Sequence, residues 1–89
     1  MITLKAIQDD FMTLWHMLGS TAVETELLPK AFEGLAFMVV RYQTQVDVSD
    51  EDKERAWTLL ETMQIQYDAV MGWRMAQDVI DIIRRHESG

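Results

Sequence analysis

The chain has 89 residues, 48% of them apolar and 26% charged, with fifteen acidic residues against eight basic ones and a net charge of −7. That composition describes one small folding domain rather than a disordered segment, and its negative field opposes binding to nucleic acid or to anionic lipid headgroups. Cysteine is absent, which excludes disulfides, thiolate metal sites and cysteine nucleophiles.

The first predicted element is a helix over 4–18. Thr3 is a suitable N-cap, and Leu4, Ile7, Phe11, Leu14 and Leu18 recur at alternating steps of three and four, which places them on one helical face. Ile2, Met12, Trp15 and Met17 lie off that stripe, so the apolar surface is wide enough to face two neighbours. Gly19 ends the helix. The opening residues carry Lys5, Asp9 and Asp10 where a secretory leader would have a basic start and an apolar block, so cytoplasmic residence is expected.

A second helical region is predicted over 21–46, kinked or broken near Pro29. Thr21 and Glu24 have capping-box spacing, and proline is tolerated in a first turn, so the main helix should begin close to Pro29. Leu28, Phe32, Leu35, Val39, Tyr42 and Val46 then continue the three-and-four pattern. Ala31, Ala36, Phe37, Met38 and Val40 fill in nearly the whole circumference, as expected of a central helix. Gly34 lowers helix propensity by about 1 kcal/mol relative to alanine, and close approach of a neighbouring backbone would account for it. Leu35–Val40, the most apolar run, is bounded by Gly34 and Arg41 and is far too short to span a bilayer.

The third helix is predicted over 49–86, with a break at Gly72 as the alternative. Ser49 is the N-cap, Asp50, Glu51 and Asp52 occupy the first turn, and Arg84, Arg85 and His86 occupy the last, each with the sign that complements the helix dipole. Ala56, Leu60, Met63, Tyr67 and Val70 form a clean stripe. After Val70 the apolar positions step through Trp73 and Ala76 to Ile80 and Ile83, a slip in phase that falls at Gly72. The Met-Gly-Trp-Arg context has no residues to shape a turn, so a continuous helix is favoured over a fourth one.

The expected fold is therefore all-α: one domain, a three-helix bundle (four-helix if Gly72 is a turn) whose long C-terminal helix is completed by dimerisation. A continuous helix of this length reaches roughly 55 Å, beyond the span of a compact domain of this size. Its last part is apolar almost all round and needs cover. Met71, Trp73, Met75, Ala76, Val79, Ile80 and Ile83 are the expected dimer or partner interface, and Trp57, one position off the stripe in the most acidic region, is a candidate partner anchor.

No catalytic, cofactor-binding or metal-ligating set is expected. Met12 and Ser20 flank His16 at helical spacing, where a second ligand would have to stand, and none of the serines has a nucleophile setting. Glu51-x-x-Glu54 and Asp78-x-x-Asp81 have the spacing of magnesium-binding carboxylates, but about 40 Å of helix separates them. Asp78 and Asp81 are instead expected beside Arg74 and Arg85. The favoured reading is a non-catalytic interaction module, a regulator, adaptor, chaperone or inhibitor, that binds another protein and acts as a homodimer. The alternatives are an acidic decoy for a basic nucleic-acid-binding protein, and a metal-dependent all-α hydrolase with cross-subunit carboxylates.

Overall fold

The computed structural model describes residues 1–20 and 23–88, with side chains at 75, 77, 78 and 86–88 excepted. It contains three helices, α1 (Leu4–Gly19), α2 (Leu27–Gln43) and α3 (Asp50–Ser88), each packed against the other two. At 1.5 Å per residue the first two are about 25 Å long and the third about 58 Å. The molecule measures 62 × 18 × 16 Å, a rod set by the length of α3.

The caps follow from the sequence. The Thr3 hydroxyl accepts a hydrogen bond from the Ala6 amide, and the Ser49 hydroxyl accepts one from Asp52. Pro29 lies in the first turn of α2, where its missing N–H removes no intrahelical bond. The lead-in is a short turn in which the Leu27 and Leu28 amides donate to the Glu24 and Thr25 carbonyls. The proposed capping box of Thr21 lies outside the described residues.

The core is the predicted inner face of each helix. Ile7, Leu14 and Leu18 of α1, Leu28, Leu35, Val39 and Tyr42 of α2, and Ala56 and Met63 of α3 are buried. Phe11, Phe32, Leu60, Tyr67 and Val70 pack around them, with Phe32 and Tyr67 stacked at 4.6 Å. Two glutamines fix the end of the bundle where α1 begins. The Gln45 side-chain amide makes two 2.9 Å bonds with the backbone N–H and C=O of Ile2, and Gln43 donates to the Lys53 carbonyl at 2.8 Å. The order is therefore up, down, up, with α3 running parallel to α1.

Three sequence expectations need correction. The second helix covers 27–43 rather than 21–46: the Thr44 hydroxyl and amide both donate to the Arg41 carbonyl, closing the helix so that Gln45 can reach Ile2, and Val46 is left 92% exposed. α2 is not enclosed, because Phe37 and Val40 face outward, with the Arg41 guanidinium lying over the Phe37 ring. Gly34 meets no close neighbour, since a Cβ there would find no atom within 4 Å. By contrast α3 runs through Gly72 without a break.

Candidate functional site

The bundle ends at Arg74. Its guanidinium donates to the Ser20 carbonyl at 2.9 Å, the Val23 carbonyl at 3.0 Å and the Thr25 hydroxyl at 3.1 Å, tying the α1–α2 connection to α3. The expected neighbour along its own helix, Asp78, has its side chain outside the described residues. Charge-assisted bonds such as those of the guanidinium are the strong ones. Arg74→Ala is therefore expected to lower stability by about 2 kcal/mol in urea unfolding, whereas Arg85→Ala, beyond the bundle, should change it little.

Beyond Arg74, about fourteen residues of α3 continue for about 21 Å with no other described helix beside them. The reason is a mismatch of lengths, since α1 and α2 stop level with Arg74. Of the expected interface residues, Trp73 is 60% exposed, Val79 55%, Ile80 39% and Ile83 51%, and Ala76 is exposed with them. Met71 is different: it is half-buried and packs against the bundle core. The Met75 side chain lies outside the described residues.

Two seams run along α3. The inner one, Ala56, Leu60, Met63, Tyr67 and Val70, faces α1 and α2. The outer one, Ile65, Ala69, Trp73, Ala76, Ile80 and Ile83, is turned from it by about 150° at about 100° per residue. Ile65 was not among the expected interface residues. It is 68% exposed inside the bundle half, and its signal was its step of four to Ala69 on the outer seam. The phase slip at Gly72 is the place where the apolar character passes from the inner seam to the outer one. Gly72 is exposed, and a Cβ there would also meet nothing within 4 Å.

Alongside the outer seam lies the groove between α1 and α3. One depression of about 180 Å³ is lined by Trp15, Leu18, Gly19, Gln66 and Val70. Another, of about 400 Å³, lies toward the acidic end between Gln8, Glu51, Arg55 and Leu59. Trp15 is 40% exposed and stacks on Phe11 at 5.7 Å. Trp57 is half-exposed and shares an outward face with Asp50, Glu54, Glu61 and Asp68.

Arg55 pairs with Glu51 at 2.8 Å and Asp52 at 3.5 Å on an exposed turn, a pairing of small energetic weight. Among the described residues, no three histidine or acidic side chains come together in a way that could hold a metal ion. Burial raises the Tyr42 hydroxyl, with the Asp52 charge adding to the effect. Desolvation also raises the Asp10 carboxyl above the usual aspartate value.

A raised carboxyl favours the folded state when protonated, so its contribution is complete below the unfolded-state value and is lost as pH rises through the folded one. Asp10→Asn should accordingly stabilise the chain at neutral pH by about 0.5 kcal/mol or less. The gain should vanish in acid, and chemical unfolding at several pH values reads it.

No protein-family model matches the chain, and no curated protein and no solved structure matches it either. Among the described residues, no helix is long and apolar enough to cross a membrane.

Proposed function

We propose that the chain is a non-catalytic protein-interaction module that acts as a homodimer, with the outer seam of α3 as its docking surface. One observation carries this reading: the stretch of α3 at and beyond the end of the bundle bears Trp73, Val79, Ile80, Ile82 and Ile83, each at least 39% exposed. Helices of this length are marginal in water without packing, so a lone apolar extension gains most from cover by protein. With Ile65, the outer seam carries exposed apolar area on the order of 500 Å², the scale of a functional patch rather than of scattered surface residues.

Hydrogen exchange at two concentrations tests the reading. Cover by protein predicts slow exchange of the amides of 75–85 at high micromolar concentration and faster exchange on dilution, with the amides around Leu35 unchanged. Fast, concentration-independent exchange over 75–85 would count against it.

A further inference from the structure

We infer that the partner on the outer seam is a second copy of this chain lying antiparallel, with the two-fold axis at the Gly72–Trp73 step. This rests on the reading of the seam as a docking surface and adds its orientation and register. Three observations carry it.

The first is the spacing of the seam. Read outward from the Gly72–Trp73 bond, it repeats in both directions: Gly72, Ala69, Ile65, Thr62 one way, and Trp73, Ala76, Ile80, Ile83 the other, with steps of three, four and three. An antiparallel copy therefore sets Ala69 against the partner's Ala76, Ile65 against its Ile80, and Thr62 against its Ile83. Such layers are self-complementary, as a two-fold interface requires. The central layer joins two glycines and two tryptophans. The open space beside Gly72, where a Cβ would meet nothing within 4 Å among the described residues, receives the indole from the second copy.

The second is charge. The segment 75–86 holds Asp78, Asp81, Arg84 and Arg85 and is neutral with histidine uncharged, so the net charge of −7 resides in the rest of the chain. The antiparallel register lays this neutral extension along residues 59–70 of the partner, which hold Glu61 and Asp68 and no basic residue, and brings Arg84 level with that Glu61. It also keeps the two acidic first turns at Asp50–Asp52 about 65 Å apart. A parallel pair would set the two acidic bundles side by side.

The third is size. Two outer seams together supply about 1,000 Å² of exposed apolar surface, the lower bound for a biological interface. The partner's extension also lies beside the α1–α3 groove, where half-exposed Trp15 borders Gln66 and Val70. Each end of the dimer then becomes a four-helix arrangement, three helices from one copy and the extension of the other.

The absence of native cysteine makes cross-linking a clean test. Tagged Ala69→Cys and untagged Ala76→Cys chains, each checked for wild-type helicity, are mixed and oxidised. The expected product is the tagged–untagged disulfide, with little linkage within either variant. Predominant 69–69 and 76–76 linkage, or no linkage in a chain that sediments as a dimer, would overturn the register while leaving the docking surface standing. A monomer would overturn both. Gly72→Leu adds a second readout: the substitution favours helix, yet filling the space kept for the partner's indole should weaken dimerisation at least tenfold. Unchanged dimerisation in Gly72→Leu would contradict the central layer.

Discussion

Ile80→Asp combined with Ile83→Asp is expected to abolish self-association while leaving the bundle folded. Each substitution would bury an unpaired carboxylate in an apolar layer of the interface, and in a symmetric dimer each occurs twice. The dissociation constant should rise more than 100-fold, which sedimentation equilibrium can read. The same variant should lose helical circular dichroism over about fourteen residues, because an uncovered extension of that length frays, while the urea midpoint of the bundle stays near the wild-type monomer value. Dimerisation that survives the double substitution would place the interface elsewhere.

The second large effect is opposite in kind. Leu35→Ala is expected to lower stability by about 3 kcal/mol, since Leu35 is fully buried in the middle of α2 and truncation there leaves a cavity lined by the other two helices. A domain of this size has total stability on the order of 5–10 kcal/mol, so the loss is a large fraction of the whole. Chemical unfolding measures it directly. Ile80→Ala in a monomeric background should cost little, because Ile80 touches no core. The contrast separates residues that hold the fold from residues that the proposal assigns to the interface.

The fold was legible where local patterns and tertiary packing agree. The stripes at Leu4–Leu18, Leu28–Tyr42 and Ala56–Val70 are inward-facing because three helices of that periodicity have no other way to cover one another, and Thr3 and Ser49 cap as hydroxyls do. The end of α2 was not legible. Val46 continues the apolar spacing, and the helix stops earlier where Thr44 closes on the Arg41 carbonyl and Gln45 bonds to Ile2, forty-three residues away in sequence. The tie made by Arg74 was not legible for the same reason: its partners Ser20, Val23 and Thr25 lie 49 to 54 residues away. Such long-range polar ties leave no period to read.

The exposed apolar face on which the proposal rests was partly legible. Apolar residues all round the end of α3 announced that cover was missing, and the exposed Trp73, Val79, Ile80 and Ile83 fall there. Met71 differs because it borders the inner seam, about 60° from its centre and about 150° from the outer one, and its side chain goes to the bundle. Ile65 was overlooked because a lone isoleucine between Gln64 and Gln66 looks like an ordinary surface residue. It joins the seam only once the direction of the bundle core is known.

Sedimentation velocity of the unmodified chain at a few micromolar tests the central claim most directly. An interface along the outer seam predicts one elongated species of about twice the 10.4 kDa chain mass, dissociating on dilution or on introduction of the Ile80 and Ile83 aspartates. A single 10.4 kDa species at tens of micromolar, with 75–85 still helical, would contradict it.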